Sequence, residues 1–221
     1  MRIPLRTPAR QPKFSQRSLT GRTASAGQSV IFESTLERDC FILLDFDPSV
    51  LRFASQPFSI RHEVDGADRR YTPDVMVEFA GPDGRLNRTV VYEIKYRDDL
   101  RDHWSEYRAR FAAANRYCRQ QGWVFEIMTE REIRTPLLEN ATFLRRYRTI
   151  PDRPLVRMHL LYTLQALGPT TPQALLAATY NSNESRAPAL STLWQLIATR
   201  QIPCDLSQKL TMRSRIEPGD A

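Results

Sequence analysis

The sequence is poor in cysteine, histidine and long apolar runs, and each shortage removes a class of protein. Its three cysteines, Cys40, Cys118 and Cys204, are odd in number and far apart. That argues against a disulfide framework or a cysteine-based zinc site, and for a reducing, cytoplasmic setting. His62, His103 and His159 have no metal-ligand spacing and read as surface or core residues. No apolar run approaches the ~20 residues that cross a bilayer, and no stretch resembles a secretory leader. A membrane is therefore not an expected partner. No internal repeat is present.

Acidic residues are missing from positions 1–22, where Arg2, Arg6, Arg10, Lys13, Arg17 and Arg22 all fall. In 23–154 acids slightly outnumber bases, so the net charge of +7 comes mainly from the first segment. A basic, proline-bearing arm over 1–27 without apolar periodicity is expected to be flexible. Its charges suit nucleic-acid phosphates, which release counterions on contact. The plainer reading is a solvating tail.

What is present is a chain of 221 residues, 41% of them apolar. That is enough for one good-sized domain and a small one. Apolar spacing predicts a helix over 29–44, ended by Asp47-Pro48, and extended chain over 50–60 with a bend at Pro57. A return strand is expected over 60–64. Residues 71–79 and 89–96 read as a strand pair around the turn cluster Gly81-Pro82-Asp83-Gly84. Leu100, Trp104, Tyr107, Phe111, Ala114 and Cys118 make one apolar face of a long helix, with Gly122 as its stop. Trp104 and Trp123 are expected in the core. A strand over 123–128 precedes the capping-box pair Thr129 and Glu132, and a second short helix begins near Pro136.

Ile150-Pro151-Asp152-Arg153-Pro154 looks like a linker, which predicts domains at 28–150 and 151–221. Beyond it, helices are expected over 155–167, 172–179 (capped by Thr171 with Pro172 at its first position) and 187–199. Two short strands over 202–216 would complete a winged helix. The 187–199 helix has few groove-reading side chains, so protein docking is as good a reading as DNA contact. Lys209, Arg213 and Arg215 could form a basic wing.

The chemistry sits in Tyr71-Thr72-Pro73-Asp74 and Tyr92-Glu93-Ile94-Lys95. Residues two apart on a strand share a face, so Glu93 and Lys95 project together, while Ile94 points into the core. Asp74 opens the preceding strand and can approach Glu93. Two carboxylates at close range repel and normally need a cation. Oxygen ligands suit Mg²⁺, with Mn²⁺ as a possible substitute. A lysine beside them can position a water or stabilise charge on phosphate. Glu33 and Glu37, one helical turn apart, could each add a third acid. Arg97 and Arg101, just past Lys95, are candidates for phosphate contact or a solvated helix start. Either half of the motif alone reads as the wet face of a hairpin; together they read as a nuclease site.

These residues resemble the PD-(D/E)xK nuclease superfamily, and the chain more closely resembles TnsA, the endonuclease subunit of heteromeric cut-and-paste transposases. The resemblance runs through Phe32-Glu33-Ser34-Thr35-Leu36-Glu37-Arg38-Asp39, the stretch from Leu44 to Val50, Ser55-Gln56-Pro57-Phe58, Asp74, Glu93-Ile94-Lys95 and Thr129-Glu130-Arg131-Glu132-Ile133. It continues into Leu193-Trp194-Gln195-Leu196-Ile197. It implies an α/β fold with a restriction-endonuclease-like core, a mixed central sheet flanked by helices, and a small winged-helix-like C-terminal domain. By resemblance Glu37, Asp74 and Glu93 hold Mg²⁺, Lys95 is the catalytic lysine, and Gln56 matches a recurrent glutamine with a structural or supporting role. Glu33, from its own position, reads as a carboxylate that supports the site or lies on the surface. Some members carry glutamine where this chain has Glu93. The implied activity is cutting of DNA at the 5′ ends of a transposon in the cytoplasm, at the nucleoid. The implied partners are a TnsB-like transposase and a TnsC-like AAA+ regulator. The family also occurs in CRISPR-guided transposons, though no residue here shows an RNA-guided context. Two rival readings are a restriction or repair nuclease and a non-catalytic transposase adaptor.

Overall fold

The computed structural model describes residues 21–25, 28–64, 66–180 and 182–219. The chain divides into two compact units, 1–134 and 135–221.

In the first unit, strands β1 (Gly21–Ser25) and β2 (Gln28–Phe32) form an antiparallel hairpin. Strand structure thus begins within the expected flexible arm. The hairpin also takes the first residues of the helix expected over 29–44. Helix α1 (Thr35–Phe46) starts later because Ser34 caps it, its hydroxyl accepting from the Glu37 amide; Val30, Ile31 and Phe32 favour extended chain. Next come β3 (Val50–Ser55), then β4 (Ile60–Val64) paired with β5 (Ala67–Tyr71). Strands β6 (Val75–Ala80) and β7 (Leu86–Ile94) form the expected hairpin.

The strand expected over 71–79 is interrupted. Tyr71 ends β5, residues 72–74 belong to no strand, and β6 begins at Val75. Pro73 has no amide proton for a ladder. The interruption leaves the Asp74 side chain free of the sheet's alternation.

Helices α2 (Arg97–Asp102) and α3 (Trp104–Gln120) replace the single long helix expected after Lys95. His103 breaks it, with φ −119° and ψ 20°. The break leaves Trp104 48% exposed rather than in the core. Trp123 packs against Phe58 and Tyr117 as expected. Strand β8 (Val124–Met128) then lies parallel to β7, as a helical crossover allows. Helix α4 (Glu130–Ile133) carries the full capping box of Thr129 and Glu132.

The central sheet is mixed, in the order β3-β6-β7-β8. Both faces are covered. Val75, Val77, Val90, Tyr92 and Ile94 pack with Leu36, Cys40, Phe41 and Leu44 of α1. Met76 and Val91 point the other way and pack with Phe111, Ala114 and Cys118 of α3. Alternation along the strands therefore sends Glu93 and Lys95 to the α3 side of the sheet. Phe41 is fully buried, and truncating it to alanine would cost about 3–5 kcal/mol.

The second unit contains α5 (Pro136–Leu144), a 3₁₀ turn (Arg145–Tyr147), α6 (Pro154–Leu167), α7 (Pro172–Thr179) and α8 (Asn183–Ala198). The division falls at Arg134/Thr135, ahead of the proline-rich stretch read as a linker. Asn140 is the reason α5 belongs here. Its buried amide donates to the carbonyls of Leu206 and Gln208 and accepts from the Leu210 amide at 2.9 Å. The strands expected over 202–216 are reduced to isolated bridges: Ile216 pairs with Thr170 and Cys204. All three cysteines are free, and no helix among the described residues is long and apolar enough to cross a membrane.

Candidate active site

A cavity of about 440 Å³ opens where β5, the start of β6 and the end of β7 meet α1 and α3. Its walls carry four carboxylates, Glu33, Glu37, Asp74 and Glu93, and three bases, Arg70, Lys95 and Arg110. Tyr71 and Thr72 complete it.

Each acid reaches the cavity from a different local structure. Asp74 precedes β6, and its Oδ2 accepts the Ile94 amide at 2.7 Å. Glu93 lies in β7 and is 2% exposed. The Tyr71 hydroxyl donates to its Oε2. Glu37 stands in the first turn of α1, where Oε2 accepts the Glu33 amide at 2.8 Å and Oε1 accepts the Ser34 hydroxyl at 3.0 Å. Ser34 and Glu37 thus cap the helix and orient the carboxylate together. Lys95 follows β7. Its Nζ lies 3.0 Å from Glu93 Oε1 and 3.4 Å from Asp74 Oδ2.

Gln56 bridges the acids from below. Its amide donates to the Asp74 carbonyl at 2.8 Å, and its side-chain nitrogen donates to Glu33 at 3.1 Å. The backbone here is left-handed, with φ 48°, a conformation that costs a non-glycine residue about 1 kcal/mol or more. Its side-chain oxygen is buried with no hydrogen-bond partner.

The electrostatics follow from crowding. Burial, and then the charge of Asp74, raises the Glu37 carboxyl to about 7. The same two causes raise Glu93 to about 7, against the opposing pull of Lys95 and Tyr71. For Lys95, burial works against the charged form, but Asp74 and Glu93 outweigh it and raise the ammonium above its ordinary value. Burial and the adjacent Glu93 raise the Tyr71 phenol, which keeps it a donor.

The donor set fits a hard divalent cation: three carboxylates, all oxygen, two of them raised by burial and by the charge of Asp74. Among the described residues no three acidic, histidine or cysteine side chains are already drawn to ligating separation. Lys95 supplies the positive charge between Asp74 and Glu93.

The residues singled out by sequence separate into two groups. Glu37, Asp74, Glu93, Lys95 and Glu33 share the cavity, with Gln56 bonded to two of them. Arg97 and Arg101 do not line it. Arg101 is engaged by exposed Asp98 and Asp102, and the Arg97 amide donates to Glu130. Arg2, Arg6, Arg10, Lys13 and Arg17 lie outside the described residues, and Arg22 pairs with Ile31 through the β1–β2 ladder. Sequence reasoning did not assign site roles to Tyr71 and Arg110. The signal for Arg110 was its place three residues after Tyr107, on the border of the α3 apolar face.

Residues 47–130 match the family model described as TnsA-like endonuclease N terminal, and residues 132–206 match the one described as TnsA endonuclease C terminal. The chain belongs to the TnsA-like endonuclease family. No curated protein matches it. The TnsA-like N-terminal match contains Gln56, Asp74, Glu93 and Lys95, whereas Glu33 and Glu37 precede it. The mixed sheet flanked by α1 and α3 is the fold expected for such a nuclease.

Proposed function

We propose that this TnsA-like protein is a divalent-cation-dependent DNA endonuclease that hydrolyses the 5′ ends of a transposon. A TnsB-like transposase acts at the 3′ ends, and a TnsC-like AAA+ regulator couples both to target choice. The observation that carries this reading is the convergence of Glu37, Asp74, Glu93 and Lys95 on one cavity from α1, the residue before β6 and the end of β7.

Glu37, Asp74 and Glu93 would hold the cation. When bound, Mg²⁺ or Mn²⁺ supplies Lewis-acid stabilisation of charge on the phosphate. The chain's own part is positional. Lys95, held by Asp74 and Glu93, presents an ammonium that orients the attacking water or balances charge developing on the phosphate. Tyr71 holds Glu93 in one rotamer. The bond from Ile94 holds Asp74. In hydrolysis the water adds to phosphorus and one P–O ester bond breaks.

In the second unit the three helices α6, α7 and α8 are followed by chain bridged at Cys204 and Ile216. That order supports a winged-helix-like module that docks DNA or a partner.

The test is reconstitution with the transposase encoded beside this gene, on donor DNA with Mg²⁺, mapping breaks on each strand. Asp74→Ala and Lys95→Ala should lower 5′-strand cutting by at least 10²-fold while 3′-strand events persist. Normal 5′-end cutting by Asp74→Ala would falsify the proposal.

A further inference from the structure

Arg110 reaches the cavity from the middle of α3, and its guanidinium packs among rings with one long ion-pair contact to a carboxylate. It lies 4.0 Å from the centroid of Tyr107, 5.3 Å from Phe111 and 5.7 Å from Tyr71. Its nearest acid oxygen is Oε1 of Glu93, 3.7 Å from Nη2, beyond hydrogen-bond length. Both oxygens of Glu93 already have closer partners. Lys95 lies 3.0 Å from Oε1, and Tyr71 donates to Oε2. Among the described residues no hydrogen bond engages the Arg110 guanidinium, and its Nε is buried without a partner. The side chain remains 29% exposed at the cavity.

This is an arginine packed among three rings, whose terminal nitrogens make no hydrogen bond among the described residues and only a long ion-pair contact to Glu93. Guanidinium is a planar fork that matches a phosphate's oxygens two at a time, and ring stacking removes the freedom that binding would otherwise cost. Lys95 is not equivalent, because Asp74 and Glu93 both hold its ammonium. The cavity therefore has two parts: carboxylates that suit a cation, and a ring-mounted arginine that suits an anion.

We propose that Arg110 binds the non-bridging oxygens of the DNA phosphodiester at the site, a role that rests on the nuclease reading above. The anion class, a phosphodiester rather than a free carboxylate, follows from the nuclease reading on which this role rests. The contribution is to binding, and it operates without a divalent cation.

The test uses the full chain with fluorescently labelled duplex DNA in the presence of a chelator, so that nothing is cut. Binding is followed by anisotropy over a salt series. Arg110→Gln should raise Kd by about 3–10-fold and reduce the slope of log Kd against log salt by about 0.9, the loss of one phosphate contact. Arg110→Lys should keep the slope and raise Kd, since it retains charge and loses the fork. If wild-type protein binds and a normally melting Arg110→Gln leaves both Kd and slope unchanged, the inference fails. Should Arg110→Gln not melt cooperatively, Arg110→Lys decides: wild-type Kd overturns the proposal. No binding of duplex by wild type counts instead against the nuclease reading.

Discussion

The Ile94 amide donates a 2.7 Å hydrogen bond to Oδ2 of Asp74, which ties the two halves of the acidic motif across the hairpin beside the 3.4 Å contact of Lys95 to the same oxygen. The interruption at 72–74 makes this possible, because Asp74 is released from strand alternation and turns toward β7. The same carboxylate is the leading charge that raises both Glu37 and Glu93.

Asp74→Asn keeps an acceptor for Ile94 while removing that charge. Glu37 and Glu93 should then titrate below their present value of about 7. Carboxyl carbon chemical shifts followed across pH measure this directly. Unmoved midpoints would mean that burial alone sets them.

Stability of the cation-free protein should fall as pH rises. Glu37 and Glu93 are raised from 4.5 to about 7, so in that window the folded state holds protons that the unfolded chain has released. Its advantage is present below about 4.5 and is lost through about 7, a drop on the order of several kcal/mol. Mn²⁺ should reverse the loss. The expected gain in Tm is larger at about pH 8 than at about pH 5, where protons occupy the carboxylates. An equal gain at both would count against a cation held by these acids.

Tyr71→Phe should leave Oε2 of Glu93 buried without its donor. The cost is about 1–3 kcal/mol of folding stability, measured by denaturant unfolding. The Glu93 carboxyl should rise further, because the Tyr71 hydrogen bond is one of the influences holding it down. A Tyr71→Phe protein with wild-type stability and titration would show that Lys95 alone secures Glu93.

Much of the molecule was legible wherever a local rule acted alone. The capping box of Thr129 and Glu132, the Thr171 cap before Pro172 and the β6–β7 hairpin all formed as the residues predict. Local rules also misled where two competed. Val30 and Phe32 fit a helical period, but they also suit a strand, and cross-strand pairing with β1 prevailed. The periodicity running from Leu100 to Cys118 carries no mark of the break at His103.

Sequence by itself determined the acid and lysine set, because strand alternation places Glu93 and Lys95 on one face whatever the rest of the chain does. It left open whether Glu33 or Glu37 would join them, and both line the cavity. Only tertiary structure decided which neighbours complete the site. Tyr71 meets Glu93 because β5 turns away before β6 begins, and Arg110 reaches them because α3 crosses the face that Met76 and Val91 bury. Those meetings arise from packing between elements far apart in the chain, and residue spacing carries no record of such contacts.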